Sequence, residues 1–167
     1  MKIKSILLAV FFLSTFSIVQ QEMTTYKKDN YSIEYPESWE LDTSGQMNTK
    51  FVVSAKEING FSENVNFIVQ NLKGYGFDLE KFVTLSENQF KQIPSAKVIE
   101  SKRIKDANSE KHSITVEGDF NGTNLTIKQF YFFKDDKAYI LTYTNTLEGY
   151  KTTKALGDKI LNSFKLN

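Results

Sequence analysis

An α+β domain is expected from this sequence: an antiparallel β-sheet covered by helices on both faces, an α/β/α sandwich. Three observations carry the expectation. Residues 111–145 hold three strand-like runs separated by two polar turns. The later of the two hairpins is apolar or aromatic on both alternating faces, whereas a sheet with one wet face alternates cleanly. Two stretches with helical apolar spacing, 78–93 and 146–164, flank these runs and supply the two covers.

The hairpins come first because they set the register. Asn121-Gly122 is a two-residue turn signal: a type I′ turn needs positive φ at both central positions, which Asn tolerates and Gly adopts freely. Folding there sets Phe120 opposite Thr123, Gly118 opposite Leu125, Val116 opposite Ile127 and Ile114 opposite Gln129 on one face. Glu117 with Thr126 and Thr115 with Lys128 occupy the other. A second turn at Asp135-Asp136 sets Phe132 against Tyr139, Phe130 against Leu141 and Lys128 against Tyr143, with Phe133–Ala138 and Tyr131–Ile140 behind.

In chain order, residues 1–20 are expected to be a signal peptide. Lys2 and Lys4 precede an apolar run, 6–13, that is short for a membrane span. Cleavage is expected after Ser17 or nearer Gln20 or Gln21, so no stable membrane span is expected once the signal is removed. Residues 21–29 read as a polar lead-in, and 30–167 as a single domain. There is no cysteine, which rules out a disulfide framework, cysteine metal ligands and a lipid-modified cysteine. Removing Lys2 and Lys4 leaves nineteen basic against twenty acidic residues, with no electrostatic footprint for nucleic acid.

Tyr31, Ile33 and Tyr35 alternate with polar neighbours and form a strand that Pro36 closes. Trp39 and Leu41 mark a brief extended piece, with Trp39 a core anchor by default. After a polar turn, strands follow at 51–57 and at 65–72, and Gly74-Tyr75-Gly76 breaks the chain. Asp78 is a natural N-cap for a helix whose stripe is Leu79, Phe82, Val83, Ser86, Phe90 and Ile93, ended by Pro94. A strand is expected at 96–104 and a charged turn within 102–111. The closing helix carries Tyr150, Thr153, Leu156, Gly157, Ile160 and Phe164, and Gly157 permits close approach to the sheet.

No catalytic constellation stands out. His112 is the sole histidine and reads as a partly exposed structural residue facing Tyr131. Glu117 and Asp119 share one side of a strand but lack the further oxygens a hard cation takes, so no metal or cofactor is expected. The Asn121 and Asn124 sequons are already explained by turn and strand roles. Aromatic residues are in excess, and those outside core positions, Tyr26, Tyr75 and Phe61, fall in expected loops.

The opening Tyr31-Ser32-Ile33-Glu34-Tyr35-Pro36-Glu37-Ser38-Trp39, the antiparallel meander and the closing Ile160-Leu161-Asn162-Ser163-Phe164 resemble the PsbP-like superfamily over about 30–167. The resemblance implies an α/β/α sandwich. Members include accessory subunits of the photosynthetic oxygen-evolving complex, a nuclear Ran-binding regulator, bacterial periplasmic lipoproteins and chaperones for secreted effectors. They share a protein-binding scaffold and no common catalytic centre. Without a cysteine to acylate, this chain departs from the lipoprotein branch.

The leading expectation is a non-enzymatic protein, exported to the periplasm or extracellular space, that binds another envelope or secreted protein as an accessory or chaperone-like factor. The alternative is a small apolar or carbohydrate ligand held between sheet and helix, near Phe130, Tyr143 and Trp39. A hydrolase using His112 or Glu117 is the third. The residues singled out for ligand or partner contact are Tyr75, Trp39, Phe61 and Tyr143.

Overall fold

The computed structural model describes residues 21–105 and 110–167. The signal peptide expected at 1–20 and the tip of the charged turn, 106–109, lie outside the described residues. The chain forms β1 (Met23–Lys28), β2 (Tyr31–Pro36), β3 (Glu40–Asp42), β4 (Thr49–Ser54), β5 (Asn64–Asn71) and α1 (Leu79–Lys91). There follow β6 (Lys97–Lys105), β7 (Glu110–Phe120), β8 (Thr123–Lys134), β9 (Lys137–Thr146), α2 (Leu147–Ser163) and β10 (Lys165–Leu166).

The strands make two antiparallel sheets, seven-stranded in the order β3-β4-β5-β9-β8-β7-β6 and three-stranded in the order β1-β2-β10. All the cross-strand pairs expected for the two hairpins are found, including Val116↔Ile127 and Phe130↔Leu141. Asn121 and Gly122 take φ of 56° and 87°, and Asp135 and Asp136 take 51° and 56°, so both turns are left-handed two-residue turns. Asp78 caps α1 by accepting the Lys81 amide at 2.8 Å, and Thr146 caps α2 by accepting that of Gly149 at 3.0 Å.

The lead-in expected at 21–29 is corrected: 23–28 is β1. Met23 and Tyr26 are half-buried and pack on the core, and the segment pairs with β2 from Met23↔Pro36 to Lys28↔Tyr31. Its polar composition hid the strand because an edge strand of a small sheet buries few side chains.

Two cores lie on opposite faces of the large sheet. One gathers Leu79, Phe82 and Val83 of α1 with Ile114, Val116, Tyr131 and Ala138. The other gathers Phe51, Phe67, Phe130, Leu141 and Tyr143 with Tyr150, Ile160 and Leu161 of α2 and Tyr31, Ile33 and Tyr35 of β2. The expectation of one helix covering each face is corrected here. On the second face α2 shares the work with the three-stranded sheet, whose β2 it also contacts. On the first face α1 packs on β6, β7 and β8. Each cover therefore spans part of a seven-strand width, since one helix of about 10 Å diameter cannot span strands spaced about 4.8 Å apart across that width. What stays open is where a site can form.

Candidate functional site

The four residues singled out from sequence are not brought together. Trp39 is 7% exposed and Tyr143 0%; both belong to the second core and offer no free ring, which corrects their assignment as contact residues. Tyr143 lies under α2, where an ideal Cβ on Gly157 would stand 2.4 Å from its Cε1. Its hydroxyl donates to Glu63 Oε1 at 2.5 Å and meets Thr153 Oγ1 at 2.6 Å, and burial pushes its pKa well up. Tyr75 is 75% exposed in the β5–α1 loop, and Phe61 is half-buried in the β4–β5 loop, in a bridge with Ile58. These loops leave opposite ends of β5. Phe130 belongs to the same core as Trp39 and Tyr143.

His112 is also corrected, from partly exposed to buried. Its Nε2 lies 2.7 Å from Ser101 Oγ, and the Ser101 hydroxyl donates to Glu87 Oε1. A carboxylate can only accept, so the Ser101 proton is spent on Glu87 and Nε2–H donates to Ser101. That leaves Nδ1 unpartnered and gives His112 no role as a base toward Ser101. Burial is the largest cause of its lowered pKa, followed by the Arg103 charge, with Glu87 and Glu80 opposing. The sign follows: the fold prefers neutral imidazole, so stability is full above the ordinary value of about 6.5 and is lost as pH falls through it toward the lowered value. Between pH 7 and 5 the urea midpoint should fall, and by less in His112→Gln. An equal fall in both would remove His112 as the cause.

Asp119 Oδ1 accepts the Gly122 amide at 2.6 Å and serves the turn. Among the described residues no group of three or more His, Asp or Glu side chains forms a metal cluster. No helix among them is long and apolar enough to cross a membrane.

Among the clefts formed by the described residues, two lie on opposite faces of the large sheet. On the face that α1 covers over β6–β8, the β3–β5 end is a groove of about 510 Å³ lined by Leu41, Asp42, Met47, Val52, Asn64 and Asn66, among others. Met47 is 85% exposed and holds a left-handed backbone at φ 51°. On the opposite face a cleft of about 480 Å³ lies between α2 and β6–β8; it includes Lys128, Phe130, Tyr150 and Asp158. Sequence reasoning missed both. The polar pairs Glu117–Thr126 and Thr115–Lys128 were a signal for the second, because they put hydrophilic side chains on a face otherwise read as covered.

The family model for PsbP-like protein matches residues 13–166. No curated protein matches the chain in sequence. Cyanobacterial PsbP from Synechocystis has a similar fold, with a TM-score of 0.64 at 14% identity, over 90% of this chain and 96% of that one. LpqN of Mycobacterium tuberculosis, involved in cell envelope biogenesis, gives 0.63 at 12% identity, over 88% and 85%. The Saccharomyces cerevisiae Ran-binding protein Mog1p gives 0.59 at 9% identity, over 88% and 96%. At these identities the likeness is one of fold.

Proposed function

This chain belongs to the PsbP-like protein family, and from that premise we propose that it is a non-enzymatic, exported accessory protein whose task is to bind another protein. Export rests on Lys2, Lys4 and the apolar run at 6–13. The observation that carries protein binding is the groove over β3–β5. Met47 and Val52 place apolar side chains beside Ser54, Asn64 and Asn66, and Val52 pairs directly with Asn66 across β4 and β5. Interface patches join apolar contact area to hydrogen-bonding groups in this way.

Met47 adds a second support. A non-glycine residue in the left-handed region costs about 1 kcal/mol or more. Here that cost is not offset by burial, since the side chain stands in solvent. A strained, solvent-facing methionine fits a surface that gains its packing from a partner, and methionine adapts its shape to irregular surfaces. The Ran-binding and envelope-biogenesis roles of two proteins of similar fold are consistent with such a use of the scaffold.

A photo-crosslinking side chain at position 47, in cells that make the protein, tests this. A discrete conjugate is expected, and Val52→Asp should abolish it. If position 47 yields no conjugate, or the same pattern as a control at exposed Lys151 on α2, the groove is not the partner surface.

A further inference from the structure

Sulfur chemistry in this protein is confined to methionine, since the chain has no cysteine. Two methionines lie among the described residues, and their surroundings differ. Met23, on β1, is half-buried and packs on the second core. Met47 is 85% exposed. It stands in the turn between β3 and β4, and no residue of 46–48 is buried.

That exposure is built into the backbone. At one end of the turn Asp42 Oδ1 accepts the Ser44 amide at 2.7 Å. At the other, the Gln46 carbonyl accepts the Thr49 amide and, at 2.7 Å, the Thr49 hydroxyl. Between these ties Gly45, Met47 and Asn48 hold positive φ of 81°, 51° and 61°. The turn thus fixes the thioether toward water, on the lining of the groove over β3–β5.

A thioether is readily oxidised, and its susceptibility follows exposure of the sulfur. With a peroxide the step is a single oxygen transfer: the O–O bond breaks, an S–O bond forms, sulfur gives up two electrons and water leaves. A polar sulfoxide then replaces a flexible apolar side chain. In the free protein the change costs little, because the Met47 side chain already stands in water. In a complex it costs more. The new oxygen is a hydrogen-bond acceptor, and packing it against a partner's apolar surface strips its water without supplying a donor. At Met23 the same chemistry would strike the core instead.

We propose that Met47 is an oxidation site through which peroxide switches the partner groove off. A dithiol-dependent reductase restores it by returning two electrons and two protons, the oxygen leaving as water. The switch rests on the groove being the partner surface and adds what regulates it. The two methionines order the response: a low dose of oxidant closes the groove to its partner, and the fold is harmed only when Met23 is reached.

Peptide mass mapping of the purified protein after graded hydrogen peroxide tests the chemistry. Met47 should convert at least about tenfold faster than Met23, with the urea midpoint unchanged while Met47 alone is oxidised. Equal rates, or a midpoint that falls with Met47 oxidation, overturn the proposal. The switch is read in cells that carry a photo-crosslinking side chain at position 66, opposite Val52 in the groove. A brief peroxide pulse before irradiation should cut the conjugate about tenfold, the worth of one stranded polar atom. Met47→Leu, which cannot form a sulfoxide, should keep its conjugate after the pulse, and Met47→Gln should lose it without one. A conjugate that survives the pulse in the parent, or that vanishes equally in Met47→Leu, overturns the switch but not the groove. No conjugate from position 47 or 66 in untreated cells overturns the groove, and the switch with it.

Discussion

Phe67→Ala is expected to destabilise the protein by about 3–5 kcal/mol, the cost of removing a buried phenyl ring and leaving a cavity. Phe67 is fully buried on β5 at the centre of an aromatic cluster. Its ring centroid lies 4.8 Å from that of Phe164, 4.9 Å from Tyr31 and 5.5 Å from Phe51. These partners come from the end of α2, from β2 and from β4, so the ring ties the small sheet and the closing helix to the large sheet. Collapse around the void is limited because three separate elements would have to move inward together. For a domain with a total stability of about 5–15 kcal/mol, the loss is a large fraction of the whole. Urea unfolding measures it directly, and Phe67→Leu should recover more than half of the loss. A cost below about 1 kcal/mol for the alanine variant would mean that the three elements do not share one packed core.

The second large effect is expected at Gly157, where two physical terms oppose one another. In a free helix, alanine is better than glycine by about 1 kcal/mol, so propensity alone would make Gly157→Ala stabilising. Against this, the added methyl would meet Tyr143 Cε1, Cζ and Cδ1 at 2.4, 2.6 and 2.7 Å. The ring cannot swing away cheaply, because its hydroxyl is held by Glu63 and Thr153 and its body is fully buried. Overpacking of this kind costs about 1–3 kcal/mol, and forced movement of a pinned ring belongs at the upper end, so the net sign is destabilising. Thermal unfolding of Gly157→Ala, Tyr143→Leu and the double variant separates the terms. The two substitutions should be strongly non-additive, with the double variant much less damaged than the sum of the singles. A Gly157→Ala protein more stable than the parent would show that α2 does not approach the sheet this closely.

The strands that pair through short turns were legible from sequence because local chemistry specifies them. Asn121-Gly122 and Asp135-Asp136 set two registers, and alternation of side chains then assigned each residue of β7, β8 and β9 to a face. The cap of α1, Asp78, was readable for the same reason: a side-chain oxygen three residues before an amide needs no tertiary partner. Gly157 could be read as a point of close approach from its place on an apolar helical stripe. The sites were far less legible. Trp39 and Tyr143 were singled out by residue type, yet their rings are consumed by packing. Met47 was not singled out as a contact residue.

By itself, then, the sequence determined the strands from β2 to β9, the two helices, how the central hairpins align and which of their side chains share a face, since these depend on backbone conformation and on periods of two and 3.6 residues. Only the tertiary structure decided that 23–28 is a strand, that a second sheet shares one cover with α2, and that the covers end short of the sheet's two diagonal corners. Those outcomes depend on contacts between residues far apart in the chain, such as Tyr26 with Phe51 and Lys128 with Asp158. The width of a seven-strand sheet against the narrower reach of its covers leaves open ground on each face, and the polar pairs Glu117–Thr126 and Thr115–Lys128 are the one local trace of it in the central hairpins.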